Sequence, residues 1–249
     1  AAVYAFARTA DDIADENHDT IADNDPIRIR RLEEFQSQLD VSDASKLDPR
    51  WDWIFIACAD TIKKFSIPDS LFRDLISAFA QDVVKKRYAD FPELLDYRRR
   101  SANPVGRLVL LLHGFSDDER FRMSDNICTA LQLANFWQDM SVDRLKNRIY
   151  IPESDWNGAD EAEIFADTAT ARVREIVKFQ VERTRGLFDA GEKLPSLLPF
   201  PLSLEIRATL AGGRAILDKI QSQGFDTLSK RPAIGKIDKL RILLRALIP

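Results

Sequence analysis

The chain has 249 residues, of which 45% are hydrophobic and 31% are charged, and its formal net charge at pH 7 is −4. This balance is typical of a globular protein and excludes an intrinsically disordered chain. The negative charge argues against nucleic acid as the main partner. The longest purely aliphatic run, residues 108–112, is too short to cross a bilayer and no signal peptide is visible, so we expect a cytoplasmic protein.

The spacing of apolar residues predicts an all-α fold. Glycine and proline are scarce, with 9 and 11 residues, and most of them lie between segments with a period of 3.6 residues. Helices are predicted at 1–15, 28–39, 50–65, 69–87, 90–101, 104–113, 117–143, 160–191, 204–223 and 234–247. We expect one domain over 1–249, because large all-helical folds reach this length around a single core. The first helix opens at Ala1 without a capping residue, so we expect the natural N-terminal segment to be missing.

Two stretches between the predicted helices lack helical periodicity. NHDTIADNDP, residues 17–26, is acidic and is predicted to be a solvated loop. KLPSLLPFPLS, residues 193–203, carries three prolines but is too apolar for a free linker. We expect the second stretch to pack on the body of the protein.

Cysteine and histidine are too few to indicate a metal site of their own. Cys58 and Cys128 lie in apolar helical surroundings without a CxxC spacing, which predicts buried free thiols. His18 and His113 lie in different surroundings, and we expect both to be structural. Nothing in this set indicates a zinc site or a Ser-His-Asp triad.

The first helix carries an acidic stripe. At steps of 4, 3 and 4 residues, one helical face presents Tyr4, Arg8, Asp11 and Asp15. Asp12 lies on the adjoining face. Repulsion between Asp11 and Asp15 costs roughly 0.2–0.5 kcal/mol, which Arg8 offsets only in part. Taken alone, such a pair is typical of a solvated surface.

The helix predicted at 117–143 carries a second stripe. At steps of 3, 4 and 4 residues it consists of Gln132, Asn135, Asp139 and Asp143. The helix is otherwise apolar almost all round, which predicts burial. Carboxylates buried there without partners would be strongly destabilising.

Both stripes are explained if they face one another across a cavity and share divalent cations. Aspartates are hard oxygen ligands, which favours Mg²⁺, and Mg²⁺ usually takes one or two carboxylates together with substrate phosphate oxygens. Basic and phenolic groups for a phosphorylated substrate are supplied by Arg8, Lys146, Arg148 and Tyr150. The indicated chemistry is metal-assisted loss of diphosphate, with an aromatic cavity sheltering the carbocation. Candidates for its lining are Phe6, Phe115, Phe136 and Trp137, although core packing is the commoner role of such residues.

Three stretches resemble motifs of the squalene and phytoene synthase family, the head-to-head isoprenyl diphosphate synthases. They are YAFARTADDIAD at 4–15, LLDYRRRSANPVGRLVL at 94–110 and LQLANFWQDMSVDRLKNRIYIP at 131–152. The resemblance covers most of the chain. It implies a single bundle of helices around a deep channel, the isoprenoid synthase fold.

The resemblance also implies roles for individual residues. The Mg²⁺ ligands and catalytic acids would be Asp11, Asp15, Asp139 and Asp143, with Asn135 as an additional metal ligand. Tyr97 would act at the reacting centre. Contacts to the substrate would come from Tyr4, Arg8, Asp12, Gln132, Phe136, Lys146 and Arg148.

Two departures from the usual motifs resemble the bacterial hydroxysqualene synthases. Gln138 stands where squalene and phytoene synthases usually carry Arg, and SANPVG replaces VAGxVG. The implied reaction converts presqualene diphosphate and water to hydroxysqualene and diphosphate, in hopanoid biosynthesis and without NADPH. The alternatives are condensation of two farnesyl diphosphates, or of two geranylgeranyl diphosphates to phytoene. A third alternative is an inactive relative that acts as an assembly factor, although such a protein is expected to have lost the acidic ligands.

Two basic stretches have simpler interpretations. RRR at 98–100 is predicted to be a solvated basic face. The tail KIDKLRILLRALIP places Ile237, Leu240, Leu244 and Leu247 on one side of a helix. This pattern is typical either of a helix that docks on the bundle or of one that lies at the surface of the inner membrane, which the lipid substrates would favour.

Overall fold

The structure is a computed structural model and describes residues 1–15 and 25–247. No β-strand occurs in these two ranges, which confirms the all-α prediction. The helices are α1 (Ala2–Asp15), α2 (Asp25–Ser37), α3 (Asp52–Phe65), α4 (Ser70–Val84), α5 (Phe91–Ser101), α6 (Asn103–Leu112), α7 (Asp118–Asp143), α8 (Glu161–Ile164), α9 (Ala171–Gly191), α10 (Leu202–Ser222) and α11 (Lys236–Leu247). Of the predicted loop at 17–26, only its last two residues are described, and they begin α2. His18 lies outside the described residues.

The helices fall into two compact units. Unit 1 comprises Ala1–Lys85 and Arg99–Ser116, and therefore holds α1 to α4 and α6. Unit 2 comprises Lys86–Arg98 and Asp117–Pro249, and holds α7 to α11. Helix α5 begins in unit 2 and ends in unit 1. One domain over 1–249 stays a prediction.

An aromatic cluster forms the core of unit 1. Phe6 of α1 is completely buried, and its ring centroid lies 5.0 Å from that of Phe35 and 4.9 Å from that of Phe72. Four and eight residues further along α1, Ala10 and Ala14 are buried on the same side of the helix. Phe6 is thus a core residue, and its burial turns the acidic stripe of α1 away from this core.

In unit 2, helix α7 packs against α9 and α10. Trp137 of α7 is buried, and its indole Nε1 donates a hydrogen bond of 2.8 Å to Thr184 Oγ1 on α9. The Thr184 hydroxyl in turn donates to the Gln180 carbonyl oxygen at 2.7 Å. Because the one polar atom of the indole is satisfied inside the core, Trp137 packs as a core residue and fixes the rotation of α7.

One predicted helix, 160–191, is wrong as a single element, because it is interrupted at residues 165–170. Thr170 caps α9, where its hydroxyl accepts a hydrogen bond from the Val173 backbone N–H. Arg144 donates to the Ala166 carbonyl at 2.6 Å, and Asp226 accepts from the Ala169 N–H at 3.2 Å. These long-range partners satisfy backbone groups that a continuous helix would have paired internally.

The connection at 193–203 packs as predicted. It contains a short 3₁₀ turn, Leu194–Leu197, and both Leu194 and Leu202 are 1% exposed. Arg120 of α7 donates to the Leu197 carbonyl and holds the segment against unit 2. Phe200 is the exception, with 78% of its surface exposed.

Both cysteines are free thiols, as predicted. Cys58 is buried, and burial raises the pKa of its thiol to about 11. Cys128 is only half-buried, so the predicted burial is fully confirmed for Cys58 alone.

Two neighbouring glycines of α10 differ in the space around them. A Cβ added at Gly213 would overlap the ring of Phe188 on α9 and lie 2.9 Å from Leu131 Cδ2 on α7, whereas nothing lies within 4 Å of a Cβ at Gly212. We expect Gly213→Ala to lower the free energy of unfolding by roughly 1–3 kcal/mol through overpacking. The matched control Gly212→Ala should raise it by roughly 0.5–1 kcal/mol, because alanine favours a helix. Urea denaturation measures both, and equal shifts for the two variants would contradict this packing.

Candidate functional site

The acidic stripe of α1 lies at the surface of unit 1. Tyr4 is 74% exposed. The Arg8 guanidinium bridges two aspartates, at 3.2 Å from Asp11 Oδ2 and 2.7 Å from Asp12 Oδ1. All three of these side chains are more than a third exposed. Exposed ion pairs of this kind add little stability, so Arg8 does not lock the two carboxylates in place.

The position of these aspartates within α1 is electrostatically unfavourable. Asp15 is the last residue of the helix and is exposed, and no basic residue lies in the last turn. Carboxylates near a helix C-terminus face the negative end of the helix dipole. A bound cation would remove this cost.

Helix α7 has the same arrangement in unit 2. Asp143 is its last residue, Asp139 lies one turn earlier, and no basic residue lies in the last turn. Both side chains are half-buried, whereas Asn135 is exposed and Gln132 is half-buried. Asn135 Nδ2 donates a hydrogen bond of 3.0 Å to Asp139 Oδ2, so these predicted ligands contact one another directly.

A tight turn after α7 brings basic residues back to Asp143. Asn147 adopts a left-handed conformation with φ of 54°, and Arg87 holds it through hydrogen bonds to its backbone and side-chain oxygens at 2.7 and 2.9 Å. The Arg148 N–H then donates to the Asp143 carbonyl at 3.0 Å. Asp143, Arg148 and Tyr150 line one narrow cleft, whereas Lys146 is exposed and is not part of its lining.

A buried arginine lies among the aromatic residues next to this cleft. Arg98 is fully buried, with its guanidinium carbon 4.3 Å from the ring centroid of Tyr97 and 3.9 Å from that of Phe136. The predicted solvated face at 98–100 is therefore wrong for Arg98, because the aromatic rings and cation–π contact accommodate its charge. Arg99 is exposed, as predicted.

Tyr97 and Phe136 are both enclosed by this aromatic packing. Tyr97 is 2% exposed, and its ring lies 5.7 Å from that of Tyr88. The ring of Phe136 stacks on Tyr150 at 3.4 Å, with Arg98 over its other face. Their predicted contacts with the substrate stay predictions.

Arg231 is a partner of this site that its position in the sequence did not reveal. Its Nε and Nη2 both donate to the Asp139 carboxylate, the latter at 3.2 Å. Hydrogen bonding to Asp139, aided by the nearby charge of Asp143, holds the pKa of the Arg231 guanidinium above its ordinary value. The two residues of the pair are 92 positions apart, so no local spacing could have found them.

The donor set of α7 offers Mg²⁺ two carboxylates, and the phosphate oxygens of a substrate would complete its coordination. Among residues 1–15 and 25–247, no group of three or more His, Cys, Asp or Glu side chains is placed to hold a metal ion. Asp139 and Asp143 supply two carboxylates, which is the number that Mg²⁺ commonly takes when phosphate oxygens and water complete its coordination. These residues therefore suit an ion that arrives with a diphosphate.

Comparisons with known proteins agree with these motifs. A model of the squalene/phytoene synthase family matches residues 1–238. A hydroxysqualene synthase from Sinorhizobium fredii is 31% identical over 243 residues, which cover 96% of this chain and 79% of that protein. Phytoene synthase 1 of Arabidopsis thaliana is 28% identical, and the match covers 97% of this chain but only 57% of that protein. The chain thus spans little more than half of the length of some curated relatives.

Solved structures give the same result for the fold. The structure of squalene synthase HpnC from Alicyclobacillus acidocaldarius superposes with a TM-score of 0.80 at 39% identity, covering 90% of this chain and 82% of that one. A dehydrosqualene synthase in complex with ligand gives a TM-score of 0.81 at 18% identity and covers 98% of this chain and 83% of that one, which supports the isoprenoid synthase fold alone. The family match spans almost all of the chain and includes both acidic stripes, and we conclude that the chain belongs to the squalene/phytoene synthase family.

Proposed function

We propose that this chain forms the catalytic part of an Mg²⁺-dependent enzyme that converts presqualene diphosphate and water to hydroxysqualene and diphosphate. Members of the family act on isoprenoid diphosphates and use Mg²⁺. The assignment of hydroxysqualene as the product, and with it a place in hopanoid biosynthesis, is supported by the hydroxysqualene synthase that is 31% identical over 96% of the chain.

The observation that carries the proposal is the arrangement at the end of α7. Asp139 and Asp143 lie one turn apart against the helix dipole, and the turn that follows brings the Arg148 N–H to within 3.0 Å of the Asp143 carbonyl oxygen. Acidic groups beside basic groups suit a ligand that is itself a metal-bound anion. Diphosphate with Mg²⁺ has this character.

The candidate residues have different roles in the proposed loss of diphosphate. In the proposed mechanism, acidic residues of α1 and of α7 are ligands of the metal, as the matching family motifs imply. When bound, Mg²⁺ neutralises the charge that develops on the leaving diphosphate oxygens. Arg148 can fork onto two of these oxygens and Lys146 acts as a point charge, with Arg8 and Tyr4 as donors from α1. Gln132 and Asn135 add neutral polar contacts.

The proposed reaction balances without a reductant. The bond between carbon and the diphosphate oxygen breaks, and its electron pair leaves with the diphosphate. After rearrangement, a water oxygen adds to the carbocation and one proton passes to solvent. NADPH is therefore not required, whereas formation of squalene would need a hydride at this step.

Two alternatives make different use of the same motifs. The first is condensation, of two farnesyl diphosphates to presqualene diphosphate or squalene, or of two geranylgeranyl diphosphates to phytoene. The names of the squalene and phytoene synthases among the relatives favour this alternative. The second is an inactive relative that acts as an assembly factor, which the retained aspartates of α1 and α7 disfavour.

Helix α11 presents an exposed apolar surface that suits contact with a lipid membrane. It packs against α10, with Ala246 buried and Lys219 Nζ 2.9 Å from Asp238 Oδ2. Helix α11 therefore lies against α10, but its apolar side, which docking would have turned inward, faces outward. Between 54% and 69% of the surface is exposed for each of Ile237, Leu240, Leu243, Leu244 and Leu247.

We propose that this outward face of α11 rests on an anionic membrane surface. Lys236, Lys239 and Arg241 on the same helix supply the positive charge that such a surface attracts. Among the described residues, no helix is both long enough and apolar enough to span a bilayer. Contact of the kind proposed here is peripheral.

Feeding the full-length protein with single substrates tests the reaction. With presqualene diphosphate and Mg²⁺ we expect hydroxysqualene and diphosphate, at a rate that NADPH does not change. With farnesyl or geranylgeranyl diphosphate alone we expect no product. Gas chromatography with mass spectrometry identifies the products, and formation of presqualene diphosphate or phytoene would instead establish one of the condensations.

Asp139→Asn tests the acidic ligands. We expect kcat/KM to fall at least about 100-fold, because even groups that only orient a metal ligand are worth 10–100-fold. The control is Asp118→Asn, which changes an exposed aspartate in the first turn of the same helix and should leave kcat/KM within about two-fold of the wild-type value. Unchanged turnover in Asp139→Asn would rule out a mechanism in which Asp139 binds a catalytic metal ion.

A double variant tests the membrane contact. Leu240→Glu with Leu244→Glu should reduce cosedimentation with phosphatidylglycerol vesicles at least about ten-fold, since each buried leucine contributes roughly 1.5–3 kcal/mol. The matched control changes two exposed apolar residues of α3, as Trp53→Glu with Ile56→Glu, and should bind like the wild type. Failure of the wild-type protein to bind, or equal binding of both double variants, would contradict the proposed contact.

A further inference from the structure

The segment after α10, residues 225–235, lies along the C-terminal half of α7. Three consecutive residues of α7 contact it. The Thr227 hydroxyl lies 3.3 Å from Met140 Sδ, and Gln138 Nε2 donates to the Pro232 carbonyl oxygen at 2.6 Å. Arg231 reaches the Asp139 carboxylate between these two contacts.

The contact of Gln138 with Pro232 is buried. Gln138 is 8% exposed although its side chain is polar, and Pro232 is buried as well. Proline has no N–H, so its carbonyl oxygen is the only backbone group through which Pro232 can be held. The Gln138 amide supplies the donor.

This hydrogen bond holds the residue next to Arg231. Gln138 and Asp139 are neighbours on α7, and Pro232 and Arg231 are neighbours on the segment. The Arg231 side chain is 49% exposed, and a long exposed side chain does not keep one ion pair unless its backbone is fixed. The hydrogen bond from the Gln138 side-chain amide fixes Pro232, which is the residue next to Arg231. Less conformational entropy is then lost when Arg231 forms its ion pair.

We propose that Gln138 is a positioning residue that keeps Arg231 on Asp139 as its resident counter-ion, which a divalent cation must displace from this carboxylate. The inference rests on the proposed function only in taking Asp139 as a cation ligand. It gives a physical role to the position at which this chain departs from the usual motif. The neutral amide of Gln138 binds the backbone of Pro232, next to Arg231. The cation beside Asp139 is then the Arg231 guanidinium.

Binding of Mn²⁺ to the full-length protein without substrate tests this inference. Arg231→Gln should tighten Mn²⁺ binding about two- to five-fold, the value of an exposed ion pair. Gln138→Met keeps the side-chain volume but removes the hydrogen-bond donor, and it should also tighten Mn²⁺ binding. In the double variant the Gln138→Met change should add nothing, because its effect acts through Arg231. Electron paramagnetic resonance of free Mn²⁺ gives the affinities.

Two further variants guard against a general loss of structure. Thr227→Val removes a contact between the same segment and α7 without touching Arg231, so its Mn²⁺ affinity should match the wild type. Gln138→Asn withdraws the amide by one methylene, and it replaces Gln138→Met if that variant does not fold. Circular dichroism reports folding for each variant.

The outcomes separate the inference from the proposed function. Tighter binding in Arg231→Gln with no change in Gln138→Met or Gln138→Asn would overturn the positioning role while leaving the cation site intact. An equal effect of Gln138→Met with and without Arg231 would also overturn it. Unchanged Mn²⁺ affinity in Asp139→Asn would overturn the cation site itself, and the inference with it.

Discussion

The constraint on which the proposed site depends is the placement of carboxylates at the negative ends of two helix dipoles. Asp15 ends α1 and Asp143 ends α7, and neither helix has a basic residue in its last turn. This arrangement costs stability in both helices unless cations are present. Arg8 and Arg231 supply part of the positive charge from exposed positions, where ion pairs are weak and replaceable. Such exposed pairs leave the carboxylates open to a stronger cation.

The packing of each unit holds its acidic residues in place. In unit 1, the burial of Phe6 in the aromatic cluster fixes the rotation of α1. In unit 2, the hydrogen bond between Trp137 and Thr184 and the close approach at Gly213 fix α7 against α9 and α10. Because each core fixes its helix, the packing also sets the direction of the carboxylates that are proposed as ligands.

Helical periodicity and the spacing of acidic residues were enough to predict the fold class and both stripes, because these features are local. The interruption at 165–170 was missed because the partners that stabilise it, Arg144 and Asp226, lie far away in the sequence. Arg98 was assigned to a solvated face, since nothing local shows that aromatic rings enclose it. The pairing of Arg231 with Asp139 likewise depends on how the chain returns along α7, which spacing does not encode.

The central claim is that Asp139 and Asp143, at the end of α7, bind a metal–diphosphate group. Crystals of the full-length protein soaked with Mn²⁺ and a non-hydrolysable farnesyl diphosphate analogue test it most directly, because Mn²⁺ is located by its anomalous scattering. We predict Mn²⁺ on Asp139 or Asp143, together with bound diphosphate. Diphosphate without Mn²⁺ on either carboxylate, or Mn²⁺ bound only elsewhere, would contradict the claim.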